Sequence, residues 1–299
     1  MNYRPEYAII QSRADIRNYE WGKVDSGIAF KLGPVVIHWY GLLIVLGILA
    51  GGIVASVEAK RRGEQVEHVW SGLLWGLIFG FLGARLYHIL SSPADGTGGL
   101  RAYVEDPIGI FQVWDGGLAI IGAIAGGVLG LWLYTRRHHL SAWRWLDIAA
   151  PGFVLAQALV RPVNFINQEL YGPPTSLPWG VLVSEVHRLP IYSDLARFPE
   201  ESTRFHPTFF YESLWSLGIF VFLMWAGRRW GHRLRDGDIF LAYLTLFGLG
   251  RLCIEQFLRP DAWKLDNGLA VGALIALGTA VIAALLLLLR HRRPGRTVP

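Results

Sequence analysis

The stretch LAVGALIALGTAVIAALLLLL, residues 269–289, carries no charge and runs directly into Arg290, His291, Arg292 and Arg293. An α-helix rises 1.5 Å per residue, so about 20 apolar residues cross the hydrocarbon core of a bilayer. A basic cluster at one end is a cytoplasmic anchor. The stretch therefore predicts a spanning helix that ends in the cytoplasm, and the chain repeats the pattern upstream. Apolar runs at 34–59, 69–90, 116–134, 145–163, 207–225 and 239–257 bring the expected spans to seven. The third and sixth are short and contain glycine, so they carry the weakest signal.

Composition agrees. Of 299 residues, 53% are hydrophobic and only 17% are charged, against about 25% in soluble domains. The 13 Trp and 35 Gly fit bilayer interfaces and close helix contacts. The net charge of +5 would suit nucleic acid, but the basic residues sit in short loops between apolar runs, so nucleic acid is not an expected partner. The single cysteine, Cys253, precludes an internal disulfide and, lying in an apolar run, reads as a buried, inert thiol. No lipobox-like segment precedes it. The mixed polar residues 1–32 do not form a cleavable signal peptide.

Loop charges set the orientation. Lys60, Arg61, Arg62, Arg136, Arg137, Arg144, Arg228, Arg229, Arg233, Arg235, Arg290, Arg292, Arg293 and Arg296 fall on one side. They outnumber Arg101, Arg188, Arg197, Arg204, Arg259 and Lys264 on the other. The C-terminus is thus expected in the cytoplasm and, with seven spans, the N-terminus outside. Residues 1–33 form an extracytoplasmic segment, 34–289 the membrane domain and 290–299 a cytoplasmic basic tail. The long connection 164–206 reads as a small extracytoplasmic insertion between helices 4 and 5. Gly72, Gly76 and Gly80, and again Gly122, Gly126 and Gly130, recur every four residues, which lets another helix approach closely.

Three arginines fall inside spans: Arg85, Arg161 and Arg251. A charge at the bilayer centre costs about 2.5–3.5 kcal/mol on insertion scales, so each needs a partner or a polar cavity. Glu169, Glu212 and Glu255 are the carboxylates at comparable depth. One reading pairs the two sets as structural glue; the other is an internal anion site. Arginine suits phosphate because its planar fork donates parallel hydrogen bonds and stays charged when desolvated. In a membrane, the abundant phosphate ligand is a lipid head group. The adjacent His138 and His139 point apart on a helix and read as a solvated basic loop, and neither a metal, a nucleotide nor another cofactor is expected.

The densest polar stretch at a span end is Val160-Arg161-Pro162-Val163-Asn164-Phe165-Ile166-Asn167-Gln168-Glu169-Leu170-Tyr171-Gly172. Polar groups at that depth imply a cavity. Arg161, Asn164, Phe165, Asn167, Glu169 and Gly172 fit the pattern Gly-Arg-x-Gly/Ala-Asn-Phe-x-Asn-x-Glu-x-x-Gly, and on this the chain resembles the prolipoprotein diacylglyceryl transferases. The likeness continues in order through His38-Trp39-Tyr40-Gly41, Gly83-Ala84-Arg85, Trp114-Asp115-Gly116-Gly117-Leu118, His206-Pro207 with Tyr211-Glu212, and Gly250-Arg251 with Glu255, Arg259-Pro260 and Asp261. Val160 and Val163 replace small residues of the pattern, Ile121 stands where a histidine is common, and Phe247 where a tyrosine is.

The resemblance implies a seven-helix enzyme of the bacterial inner membrane. It would move the diacylglyceryl group of phosphatidylglycerol onto the lipobox cysteine of a prolipoprotein signal peptide, releasing glycerol phosphate. Arg161 and Arg251 would neutralise the departing phosphate, and His206 is the candidate base in place of the missing histidine, with His38 a weaker one. Tyr40, His38, Asn164, Asn167, Glu169, Gly172, Glu255 and Arg85 would complete the lipid site. The alternative is a phospholipid-binding relative that has lost turnover, motivated by Ile121, Val160 and Val163. A small anion transporter ranks last, because no internal repeat is visible.

Overall fold

The computed structural model describes residues 27–32, 35–91, 99–105, 107–113 and 116–292. Most of the expected N-terminal segment, the motif residues Trp114 and Asp115, and the basic tail from residue 293 lie outside them.

The first expected span, 34–59, includes Val35, Val36 and Ile37. A β-branched run favours strand, and these residues form β2 (Val35–His38), paired antiparallel with β1 (Ile28–Leu32). The first helix, α1 (Trp39–Arg61), therefore begins after the hairpin rather than at residue 34. Six more long helices follow: α2 (Glu67–Leu90), α3 (Ile120–Arg137), α4 (Ala142–Val160), α5 (Thr208–Arg229), α6 (Asp238–Phe257) and α7 (Val271–Arg292). Among the described residues, five stretches are long and apolar enough to cross a membrane: α1, α2, α5, α7 and Ala142–Ile166, which includes α4. Helix α3 has 18 residues, and α6 carries Asp238, Arg251 and Glu255. The architecture is that of a helical, multi-pass membrane protein.

Close approach of backbones determines which helices pair. A Cβ on Gly83 of α2 would stand 2.3 Å from the Gly122 carbonyl of α3, and one on Gly126 would stand 2.1 Å from the Phe79 carbonyl. Both glycine stripes thus face each other, with Gly83 the tightest point on α2. Helices α1 and α4 meet in the same way, because a Cβ on Gly152 would lie 2.2 Å from the Gly51 carbonyl. Dispersion gained over such close surfaces replaces the hydrophobic drive that lipid cannot supply.

Helix α4 occupies the middle of the bundle. Its Ala150 and Val154 pack with Ile219 and Leu223 of α5 and with Ile239 and Tyr243 of α6. At the basic end, the buried Asp147 of α4 accepts the backbone N–H groups of Gly237 and Phe240, each at 2.9 Å. A carboxylate there satisfies orphan donors of the α6 N-terminus and complements its dipole. Gly237, with φ of 100°, makes the turn possible.

Cys253 corrects the sequence reading, because it is exposed rather than buried. Leu249, Cys253 and Phe257 form an exposed i, i+4 stripe on the outer face of α6, so lying in an apolar run does not bury the thiol within the protein. The connection between α4 and α5 folds around its own core of Tyr171, Val183, Tyr192, Phe205 and Phe209. Two short strands, β3 (Val181–Leu182) and β4 (Arg204–Phe205), pair antiparallel within it. We call this connection the head.

Candidate functional site

Pro162 ends α4, because it has no N–H to continue the ladder. The chain then winds through a short turn at Val163–Ile166 and leaves it with Gln168 and Leu170 at φ of 52° and 54°, left-handed values that non-glycine residues rarely adopt. Such conformations persist where the surroundings over-determine them. Here the Asn164 carbonyl accepts the Glu169 N–H at 2.9 Å, and Thr208 donates its hydroxyl to the Leu170 carbonyl. Gly172 closes the motif against Thr208 and Leu258. A Cβ on it would lie 3.0 Å from Thr208 Cγ2 and 3.1 Å from the Leu258 carbonyl, so its part is close approach.

This folding carries Arg161, at the end of α4, to a cluster with Glu212 of α5 and Arg251 of α6. Arg161 Nη2 lies 2.5 Å from Glu212 Oε2, and Arg251 Nη1 lies 2.8 Å from Glu212 Oε1. Arg251 also pairs through Nη2 with Glu255, one turn further along α6. The two carboxylates are buried, with side-chain exposures of 7% and 11%, whereas the Arg161 and Arg251 side chains are 26% and 24% exposed. The acids are therefore the more deeply buried members of the cluster, and each arginine side chain keeps part of its surface exposed. Nε and Nη1 of Arg161 carry no hydrogen-bond partner among the described residues, which leaves donors for an incoming anion.

Beside this cluster, Glu169 accepts the side-chain amides of Asn164 at 2.9 Å and Asn167 at 3.1 Å. Glu169 thus fixes the two asparagines rather than an arginine. Asn167 also lines a groove of about 530 Å³ with His38, Tyr40 and Gly41, so residues of two motifs far apart in sequence meet there. His38 precedes α1 without capping it through its side chain. The 52% exposure of Tyr40 leaves its ring available to a ligand.

His206 is half-buried; its Nδ1 is 3.2 Å from the Tyr211 hydroxyl, which also accepts the Trp179 indole N–H at 2.8 Å. Nε2 of His206 has no hydrogen-bond partner among the described residues. Arg85 is placed differently. Its guanidinium is spent on backbone carbonyls: Nε on Ile110, Nη1 on Gly116 and Gly117, and Nη2 on Gly109 and Gln112. That arrangement fixes Gly109–Gln112 and Gly116–Gly117 onto α2 and brings Arg85 to none of the other predicted site residues. Just past α6, Arg259 grips Asp261 through two bonds of 2.8 and 2.7 Å, which holds the Asp261 carboxyl below the usual carboxylate range.

The family model described as prolipoprotein diacylglyceryl transferase matches residues 27–289. The chain belongs to the prolipoprotein diacylglyceryl transferase family. It is 38% identical over 280 residues to a phosphatidylglycerol–prolipoprotein diacylglyceryl transferase of Chloroflexus aggregans, covering 89% of each chain. A protein of the same name from Enterococcus faecalis is 37% identical over 270 residues, covering 90% of this chain and 92% of its own. One from Gloeobacter violaceus is 36% identical, covering 89% and 93%.

The segment matched to the prolipoprotein diacylglyceryl transferase family contains the whole ion cluster, the Asn164–Asn167–Glu169 triad and the His38–Tyr40 groove. Glu212, like the neighbouring Tyr211, takes part in the site although it is not among the site residues expected from the sequence. The signal for it was present, since a carboxylate within an apolar span marks either a paired charge or a cavity. Its double engagement was not legible, because it depends on how α4 and α6 flank α5. Ile121 is 58% exposed.

Proposed function

We propose that this chain transfers the diacylglyceryl group of phosphatidylglycerol to the cysteine thiol of a prolipoprotein lipobox, the first step of lipoprotein maturation. The observation that carries the reading is the pair of partly exposed arginines on a single buried carboxylate. The thiol sulfur attacks the glyceryl carbon that bears the phosphate ester. The S–C bond forms, the C–O bond breaks, and glycerol phosphate leaves with the electron pair. The charges of Arg161 and Arg251 neutralise that leaving group in a water-poor site, where fixed charges act strongly. Glu212 and Glu255 hold the guanidiniums so that no reorganisation is needed as charge develops.

His206 accepts the thiol proton through its free Nε2 while Tyr211 holds Nδ1. Cationic neighbours also raise the thiolate fraction of a thiol whose ordinary pKa is about 8.5. The His38–Tyr40–Asn167 groove holds the glycerol part of the head group. All seven long helices span the bacterial inner membrane, with the head outside and the basic helix ends in the cytoplasm. The loop-charge bias supports this orientation.

The test is transfer by purified protein in nanodiscs, with labelled phosphatidylglycerol and a synthetic lipobox peptide. Lipidation that is lost in Arg161→Ala and in Arg251→Ala, with both variants still in the membrane, supports the reading. Full activity of both variants refutes the site. Bound lipid without transfer by the unaltered protein favours the phospholipid-binding relative.

A further inference from the structure

A second groove, of about 730 Å³, opens on the head and is lined by Gln168, Leu182, Ser184, Leu195, Glu200 and Ser202, among others. We propose that it holds the stretch of the acceptor polypeptide that follows the modified cysteine. The inference rests on the transferase reading above and adds where the protein substrate lies.

The first support is continuity with the site. Asn167 lines the His38–Tyr40 groove, and the next residue, Gln168, lines the head groove. The left-handed conformation of Gln168 turns the chain between them, so consecutive residues of one motif face two grooves. A polypeptide whose cysteine reacts beside Asn167 has the head groove directly in its path.

The second support is chemistry. Leu182 and Leu195, 47% and 36% exposed, supply apolar surface. Ser184, Ser202, Glu200 and Glu201 supply hydroxyls and carboxylates at the walls. Two carboxylates repel a phosphate head group, which excludes the lipid substrate. Apolar surface beside polar acceptors suits an extended peptide, whose backbone N–H groups and basic side chains need partners.

The third support is that the walls are preformed. Gln168 Oε1 accepts the Ser184 N–H at 2.7 Å, and Glu200 Oε1 accepts the Glu185 N–H at 3.1 Å. Buried Arg188 donates to the Val183 carbonyl at 3.0 Å and to the Phe198 carbonyl. A groove held open in this way needs little ordering on binding.

The experiment compares two lipobox peptides with the full-length protein in phosphatidylglycerol nanodiscs, one ending just after the cysteine and one continuing for about ten residues, enough to run ~33 Å when extended. The longer peptide is expected to show a KM lower by about five- to tenfold, the effect of a few apolar contacts. Leu195→Trp, which fills the groove, should abolish that advantage while leaving turnover of the short peptide unchanged. A photo-crosslinking residue at position 202 should capture the long peptide alone. Equal KM values with no capture at position 202 overturn the inference and leave the transferase reading intact if the short peptide is lipidated. If neither peptide is lipidated, the transferase reading fails, and capture at position 202 still decides whether the groove holds polypeptide.

Discussion

Arg161, at the end of α4, and Arg251, within α6, are held by the two oxygens of the same carboxylate, that of Glu212, at 2.5 and 2.8 Å. The spacing of the two guanidiniums is thereby set by one buried side chain. A lysine at either position keeps the charge but loses the planar fork that meets both carboxylate and phosphate. Arg161→Lys and Arg251→Lys are each expected to lower kcat for peptide lipidation by about 10²–10³-fold, the range for loss of one charge-stabilising donor. A KM for lipid close to that of the unaltered protein would show that the loss falls on the transition state.

Glu212→Gln keeps the shape of the bridge and removes its charge. Breaking one side of a buried ion pair costs about 3–5 kcal/mol in soluble proteins. The cost here is smaller, because both arginine side chains are about a quarter exposed. The variant is expected to unfold at lower temperature in detergent and to bind phosphatidylglycerol more tightly, since a competing anion has gone. Lipid binding by fluorescence titration checks the second effect, and weaker binding would show that Glu212 only positions the arginines.

His206→Gln is expected to slow turnover by about 10²–10⁴-fold, the usual contribution of a general base. The loss should shrink as the pH rises toward the thiol's own pKa of about 8.5, where thiolate forms unaided. Tyr211→Phe, which releases Nδ1 of His206, should give a smaller loss with the same trend. A pH-independent loss in both variants would assign the pair to packing.

Gly83 tests the packing of α2 on α3. Its missing Cβ would lie 2.3 Å from the Gly122 carbonyl, a backbone atom that cannot swing aside. Gly83→Ala is expected to destabilise by about 1–3 kcal/mol, the range for overpacking. Gly218→Ala on α5, where nothing lies within 4 Å, is the control and should be neutral or stabilising. Thermal unfolding followed by tryptophan fluorescence separates the two.

The sequence revealed much of this arrangement for identifiable reasons. Bilayer thickness forces long apolar runs, so the helices could be placed within a few residues, and the two expected to be weakest, α3 and α6, are those outside the set long and apolar enough to cross. The hairpin was hidden because Val35–Ile37 is apolar in either conformation, and hydropathy does not separate strand from helix in so short a run. The exposure of Cys253 is not legible, because an apolar run reads the same on the inner and the outer face of a helix bundle. Arg161 and Arg251 stood out because a charge within a span is costly. The shared use of Glu212, the saturation of Arg85 by carbonyls and the two grooves flanking Gln168 all depend on contacts between helices and loops distant in sequence, which no spacing rule encodes.

The head offers a test of its own through Tyr171. Its ring is buried against Phe205, and its hydroxyl accepts the Leu189 N–H at 2.6 Å and donates to the His187 carbonyl at 3.2 Å. Burial raises its pKa above the ordinary value of 10.0. In the unfolded chain the phenol loses its proton at about pH 10, while in the folded head it stays protonated to higher pH. Stability from this group is therefore fully present below pH ~10 and falls as the pH rises through the folded value. Hydrogen–deuterium exchange of peptides covering 171–205 is expected to show the head opening above pH ~10 while α4 and α5 stay protected. Tyr171→Phe should be less stable at neutral pH, because the Leu189 N–H loses its acceptor at a cost of about 1–3 kcal/mol. The same variant should lose less of its remaining stability between pH 9 and 11, and an unchanged alkaline loss would assign it to Tyr192, whose hydroxyl is likewise raised by burial.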